Sequence, residues 1–118
     1  MEKFGNGYLK GINKLNMILE VALLIVKESQ EDAFERDFHL AVKYISSIKG
    51  YRSHTLKRCI EQTNKYLLLV NWNTLEDHTE GFRKSEQYIE WKKLLHHYYN
   101  PFPIVEHYER IIEEKKTE

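Results

Sequence analysis

The sequence has one cysteine in 118 residues and few apolar runs of any length. A single cysteine, Cys59, excludes an internal disulfide and a cysteine-rich metal site, and it is typical of a reduced compartment. The apolar run Ile18–Val26 is interrupted by Glu20 and is far shorter than the ~20 residues needed to span a bilayer. We therefore expect a cytoplasmic protein that makes no membrane contact.

The chain also has no excess charge of either sign, since its 18 basic and 18 acidic residues cancel. Without a long-range field, neither nucleic acid nor an anionic membrane is a predicted partner. The glycines of GNGYLKG precede the first predicted strand, so they lack the strand-turn-helix context of a phosphate-binding loop. The sequence therefore predicts no nucleotide cofactor.

The length fits one domain. We expect a flexible N-terminal extension at residues 1–16, a folded domain at 17–112 and a charged tail at 113–118. Apolar periodicity, caps and prolines predict the elements of the domain. They are a strand at Met17–Val26, a helix capped at Ser29 and closed by Gly50, strands at Tyr51–Gln62 and Lys65–Trp72, a short helix opened by Thr74 and Asp77, a longer one opened by Ser85, and a strand at Ile104–Ile112.

This order, βαββαβ, predicts an α+β ferredoxin-like fold with one antiparallel sheet and its helices on one face. The first and third strands are apolar at both odd and even positions, so the face without helices is also apolar. Soluble monomers rarely expose a patch of that size. We therefore expect a homodimer in which a second copy covers the bare sheet face.

The segment from Trp72 to Tyr108 contains the candidate site residues. His78 lies four residues before Phe82, and a histidine with a near-neutral pKa is suited to remove a proton from a weakly acidic substrate. The alternative is a histidine that only forms hydrogen bonds. Arg83 is suited to hold a substrate oxygen, or it caps the preceding helix and pairs with Glu80 or Glu86.

The remaining candidates are mostly aromatic and would form the walls of a substrate pocket, although the same side chains are also typical of a core. They are Phe82, Trp91, Trp72, Tyr88, His96 and His107. His96 and His97 diverge by about 100° on a helix, and no HExxH-type spacing is present, so we expect no metal site.

The region Met17–Arg110 resembles the antibiotic biosynthesis monooxygenase family. The resemblance depends on the element order, the strand that ends in WNTLEDHTEGF and the close of the domain on PFPIVEHY. It extends to a subgroup with HT-x-GFR-x-S and LLH-x-x-Y-x-PFP-x-VEHY, found here at 78–85 and 94–108. Members of the family are dimeric α+β barrels built from two ferredoxin-like subunits, and the resemblance implies the same assembly here.

The resemblance also implies an activity, namely monooxygenation of a small electron-rich aromatic, such as a quinol or an anthrone, by dioxygen without a cofactor. The base, the orienting donors and the dry walls would come from His78, Arg83, Trp91 and His107. Haem-degrading members carry an asparagine on the first strand, where this chain has apolar residues, so that activity is not expected. The alternative is a non-enzymatic small-molecule-binding or stress-response dimer of the same fold.

Overall fold

The structure, a computed structural model, describes residues 17–117. Its elements follow the predicted order: the predicted short helix is a π-helix, and a 3-10 helix that was not predicted follows the longer one. They are β1 at Ile18–Ile25, α1 at Glu31–Ser46, β2 at Tyr51–Arg58, β3 at Lys65–Trp72, a π-helix at Asp77–Phe82, α2 at Glu86–Leu95, a 3-10 helix at His96–Tyr98 and β4 at Val105–Glu109.

The four strands form one antiparallel sheet in the order β2-β3-β1-β4. Both α-helices lie on the same face of this sheet and contact each other. This arrangement is the ferredoxin-like α+β fold, so the predicted fold class is confirmed. No helix of residues 17–117 combines the length and the apolar character needed to cross a membrane.

The core lies between the sheet and the helices. Residues of β3 alternate between buried and half-buried positions, so every second side chain points to the helices. Phe34 of α1 is fully buried, and its ring packs against Tyr66, Tyr98 and Tyr99 at centroid distances of 4.9, 5.6 and 5.9 Å. Aromatic packing therefore joins α1 to the sheet and to the segment that follows α2.

The opposite face of the sheet is apolar, and no helix or strand of residues 17–117 covers it. Val21 of β1 pairs with Leu69 of β3, and Leu23 pairs with Leu67. These four side chains lie on the face without helices, and Leu23 is 47% exposed. The sequence predicted an apolar face without helices because the central strands are apolar at both odd and even positions. The structure contains this face.

Several predicted boundaries are wrong at their ends. Ser29 does not cap α1, because it has a φ of 72° in a turn and the helix begins after Gln30. β2 stops at Arg58, where its pairing with Tyr66 ends. β4 is shorter than predicted because β1, its partner within the described sheet, begins at Ile18 opposite Glu109. Residues 113–117 have no regular structure, while the predicted extension at 1–16 and Glu118 lie outside the described residues.

The two caps around the second helical region were predicted correctly. Asp77 N donates to Thr74 Oγ1, and Thr74 N donates to Asp77 Oδ2, both at 3.1 Å. Ser85 Oγ accepts from Tyr88 N at 3.1 Å and caps α2. The first of these caps opens a π-helix, a form that is rare in proteins and frequent at functional sites.

Gly50 connects the turn after α1 to this cap. Its φ of 92° lies in the region that favours glycine, and the Asp77 side chain occupies the space that a Cβ atom would need. The Gly50 carbonyl also accepts from Asn73 N at 2.8 Å. The absence of a side chain at position 50 therefore lets the turn pack directly against the start of the π-helix.

We expect Gly50→Ala to destabilise the protein by about 1–3 kcal/mol, because the new methyl group is strained at positive φ and displaces Asp77. Gly81→Ala is the matched control, since its nearest neighbours would lie at ordinary contact distances of 3.7 and 3.8 Å. Urea unfolding of both variants measures the difference. Equal stability of the two variants would contradict this interpretation of Gly50.

Candidate functional site

A cavity of about 340 Å³ lies between the helix-facing side of the sheet and the segment that runs from the π-helix to β4. Its volume is in the range of small-molecule sites. Its lining residues are Glu20, Ala22, Leu24, Leu68, His78, Phe82, Arg83, Tyr88, Trp91, His96, Tyr99, Phe102, Pro103 and Val105.

The antiparallel register places the polar residues of the sheet close together. Glu20 of β1 is opposite His107 of β4 and opposite Val70 of β3. Trp72 is therefore the diagonal neighbour of Glu20 on the same face, within reach of a long side chain. The π-helix then carries His78 back over this corner of the sheet.

Four of these side chains form a connected polar network. Trp72 Nε1 donates a hydrogen bond to Glu20 Oε1 at 2.9 Å. His78 Nε2 lies 3.4 Å from the same oxygen, and His78 Nδ1 lies 2.7 Å from His107 Nε2. The imidazole of His78 is thus placed between a carboxyl group and a second imidazole.

Burial favours the neutral forms of the central pair. Glu20 is 6% exposed and His78 is 3% exposed. Desolvation raises the pKa of the Glu20 carboxyl, although the Trp72 hydrogen bond and the Arg83 charge oppose that shift. Burial, with help from Arg83 and His107, lowers the pKa of His78 to about 3. The contact between the two residues is therefore not an ion pair, despite its short distance.

The predicted near-neutral pKa of His78 is thus wrong. Removal of the ring from water penalises the imidazolium more than the surroundings stabilise it. Burial likewise lowers the pKa of His107 and lowers that of His96 to about 4. The histidines around the cavity are neutral at physiological pH.

Aromatic rings form the walls of the cavity and its support. The indole of Trp72 stacks on the His78 ring at a centroid distance of 5.4 Å and an interplanar angle of 20°. Phe82 packs edge-on against Tyr88 and Trp91 at 5.1 and 5.5 Å. Core and wall are therefore compatible roles for Trp91, which is 6% exposed and lines the cavity.

Arg83 follows the π-helix and contributes to the cavity wall. The structural alternative is present in part, since Arg83 caps the π-helix and its backbone N–H donates to the His78 carbonyl at 3.0 Å. The other part, an ion pair with Glu80 or Glu86, is absent among residues 17–117, and Glu80 instead pairs with Lys84 at 2.6 Å. The charge of Arg83 lowers the pKa values of Glu20, His78 and His107. An anion in the cavity would experience the same positive field.

Six of the eight predicted site residues line this cavity, and the other two, Trp72 and His107, contact His78 from behind. Glu20 and Tyr99 also line it, although neither was among the predicted site residues. The signal for Glu20 was present, since it is the one charged residue within the apolar strand β1. Among residues 17–117, no group of three His, Cys, Asp or Glu side chains could hold a metal ion.

A second groove, of about 390 Å³, lies between α1 and β2. Three of its polar side chains are paired with one another, since Glu35 accepts from Tyr66 at 2.6 Å and pairs with Arg58 at 3.1 Å, and a fourth, His54, contacts the Tyr51 hydroxyl. The groove therefore presents fewer unengaged polar groups than the cavity beside His78. The smaller cavity is the better candidate site.

Comparisons with known proteins agree with this fold. The family model described as antibiotic biosynthesis monooxygenase matches residues 17–94. The uncharacterized protein YczJ of Bacillus subtilis (strain 168) is 56% identical over 95 residues, which is 80% of this chain and 100% of YczJ.

Solved structures show the same similarity. A Bordetella bronchiseptica protein, provisionally described as an antibiotic biosynthesis monooxygenase, is 31% identical with a TM-score of 0.79 and covers 82% of this chain and 99% of its own. SnoaB of Streptomyces nogalater, a cofactor-independent oxygenase, has a TM-score of 0.62 and 18% identity, and covers 87% of this chain and 99% of its own. At that identity, the SnoaB comparison concerns the fold alone.

The buried imidazoles predict that acid destabilises the protein. Between the pKa of about 6.5 for an unfolded histidine and the folded value of about 3, the unfolded chain binds a proton that folded His78 does not. This stability is present above pH 6.5 and is lost as the pH falls toward 3. Glu20 has the opposite effect on stability above pH 4.5. Because its folded pKa is raised, its contribution to stability falls as the pH rises.

We therefore expect His78→Phe to remove roughly 1–2 kcal/mol of the stability loss that the native protein shows between pH 7 and pH 5. Urea unfolding at both pH values provides the measurement, and His39→Gln, at an exposed position of α1, is the control. An unchanged pH dependence of stability in His78→Phe would show that the pKa of His78 is the same in the folded and the unfolded chain.

Proposed function

Because the chain belongs to the antibiotic biosynthesis monooxygenase family, we propose that it oxygenates a small electron-rich aromatic of the quinol or anthrone class with dioxygen and no cofactor. The observation that carries the proposal is the contact between neutral His78 and the Glu20 carboxyl group, both buried in the wall of an aromatic cavity. Buried titratable pairs in clefts are typical of sites that move protons.

The proposed reaction starts with removal of an acidic proton from the bound substrate. The resulting anion transfers one electron to dioxygen, and the two radicals combine to form a carbon–oxygen bond and a peroxide anion. Protonation of the peroxide and loss of water, with the hydrogen that remains on the same carbon, leave a carbonyl group. One oxygen atom enters the product, the other enters water, and the substrate supplies all four electrons.

The chain supplies three things that this chemistry needs. We assign proton removal to His78 and Glu20 together, because burial makes an isolated His78 a weak base. Arg83 holds the developing anion with its positive charge. Phe82, Tyr88 and Trp91 keep water away from the radical pair.

Trp72, His96 and His107 complete the proposed site. Trp72 fixes Glu20 through its indole N–H and supports the His78 ring from one side. His96 faces the cavity from the end of α2 and packs edge-on against Phe102 at 4.9 Å. The alternative, a dimer that binds a small molecule without turnover, uses the same cavity and is separated from the enzyme by assay.

We expect the purified protein to consume oxygen with a panel of hydroquinones and anthrones, and to release one carbonyl product for each dioxygen consumed. His78→Ala should lower kcat/KM by about 10²- to 10⁴-fold, the usual loss for a general base. His97→Ala is the control, because this neighbouring histidine of the 3-10 helix is exposed.

Ligand binding without oxygen consumption would support the non-enzymatic alternative. Equal rates for His78→Ala and the native protein would remove His78 from the mechanism. An oxygen electrode and product mass spectrometry distinguish these outcomes.

We also propose that the protein forms a homodimer through its bare sheet face. Leu19, Val21, Leu23, Leu67 and Leu69 lie on that face, and burial of apolar surface is the main favourable term in most protein association. A second copy would convert this patch into an intermolecular core, and the helices of each subunit would remain outside. The result is the dimeric α/β barrel that the family resemblance implies.

Multi-angle light scattering should give a dimeric mass at micromolar concentration. Leu69→Glu should convert it to a monomer, because the carboxylate would be buried without a partner at the centre of the interface. Leu40→Glu, on the outer surface of α1 where Leu40 is 55% exposed, should remain dimeric. A monomeric native protein would contradict the proposed assembly.

A further inference from the structure

We propose that Glu20, His78 and His107 form a proton relay between the cavity and the solvent beside β4, with Glu20 as a catalytic residue. The inference deepens the proposed function and depends on it for the identity of the substrate. Beyond the joint proton removal proposed above, it makes Glu20 the group that takes the substrate proton and gives His107 the role of passing that proton to the solvent.

Glu20 is the cavity end of the relay. Its carboxyl group lines the cavity, and both described contacts use Oε1, namely the Trp72 hydrogen bond at 2.9 Å and the His78 contact at 3.4 Å. Among residues 17–117, Oε2 has no hydrogen-bond partner. Every fully buried side-chain polar atom in that range has a partner, so Oε2 is not fully buried. Oε2 is therefore the oxygen available to a substrate in the cavity.

His78 is the middle of the relay because its two ring nitrogens contact different partners. Nε2 lies toward the Glu20 carboxyl, and Nδ1 lies 2.7 Å from His107 Nε2. The Glu20 contact is long for a hydrogen bond, as is frequent at catalytic sites before a substrate binds. A proton that arrives at one nitrogen of an imidazole allows the proton on the other nitrogen to leave.

His107 is the solvent end. It belongs to β4, which is an edge strand of the sheet, and its side chain is only half-buried, in contrast to His78. Its Nε2 contacts His78, so Nδ1 is the nitrogen available to water. The hydrogen-bonded groups thus change from buried to partly exposed in the direction of the sheet edge.

Two further groups face this chain of contacts. Arg83 lines the cavity and its positive charge acts on all three members of the relay. Tyr88 also lines the cavity, and burial together with the charge of Glu20 raises the pKa of its hydroxyl, so the hydroxyl remains protonated. Both groups favour an ionised Glu20 or leave it unaffected, and neither competes with it as a base.

The proton balance closes over one turnover. Glu20 takes the substrate proton and passes it to His78 Nε2, while the Nδ1 proton of His78 moves to His107 Nε2 and the Nδ1 proton of His107 leaves to water. The peroxide anion later needs one proton, which returns along the same path in reverse. Each ring recovers its original tautomer, and Glu20 is again a carboxylate.

The test uses three variants of the full-length protein. Glu20→Gln keeps an oxygen to accept the Trp72 hydrogen bond but cannot take a proton. His107→Gln keeps a hydrogen-bonding group beside His78 but cannot relay a proton. His39→Gln, at an exposed position of α1, is the control.

We expect kcat in Glu20→Gln to fall by about 10²- to 10⁴-fold with little change in KM. We expect His107→Gln to lose roughly 10-fold or more in kcat and to show a larger solvent deuterium isotope effect. A larger isotope effect is a response that a purely structural role would not give. Native kcat in either variant, or an unchanged isotope effect in His107→Gln, overturns the relay.

A second readout needs no substrate and therefore separates the relay from the proposed activity. Nitrogen-15 NMR of labelled histidine measures how fast the His78 ring proton exchanges with water. The relay predicts slower exchange in His107→Gln than in the native protein and in His39→Gln. Unchanged or faster exchange overturns the relay, whereas slower exchange in a protein without oxygenase activity supports it and contradicts the proposed function alone.

Discussion

A carboxyl group in an apolar strand is the constraint around which this protein is organised. Glu20 is almost fully buried, and an unpaired carboxylate in that environment would cost several kcal/mol. The indole N–H of Trp72 and the ring of His78 provide its polar surroundings. Because these partners come from β3 and the π-helix, satisfying one buried group brings together three distant parts of the sequence.

The one-sided sheet gives the two faces of the molecule different tasks. The helix-covered face holds the cavity and its polar groups, and the bare face carries an apolar patch formed by the same two central strands. Since neighbouring residues of a strand point to opposite faces, β1 places Glu20 beside the cavity and Val21 on the patch. The site and the proposed subunit interface are therefore separated by the thickness of one strand.

Much of the fold followed from the sequence because its signals are local. The two-residue alternation of β3 and the caps at Thr74 and Ser85 require only neighbouring residues, and the structure contains them. The end of β4 depends on where β1 begins, which is a property of strand pairing that no local pattern contains. Ser29 had the composition of a cap, but the turn that follows β1 gives it a positive φ.

The site was predictable in its residue types and much less so in its electrostatics. Histidines and aromatic residues near Trp72 indicated a pocket, and six of the predicted residues line one. The low pKa of His78 arises from burial of its ring between the π-helix and the sheet, which sequence spacing does not reveal. Glu20 was visible only as an interruption of an apolar run, and its role depends on Trp72, which lies 52 residues further along the chain.

Both tryptophans of the chain belong to this one corner of the molecule. Trp91 forms part of the cavity wall, and Trp72 lies flat against the imidazole that contacts Glu20. The protein therefore has a built-in optical probe, since its ultraviolet emission originates next to the place where a ligand would enter and where a proton would move. Spectra of the unlabelled chain can thus follow occupancy of the chamber in real time, with no background from indoles elsewhere.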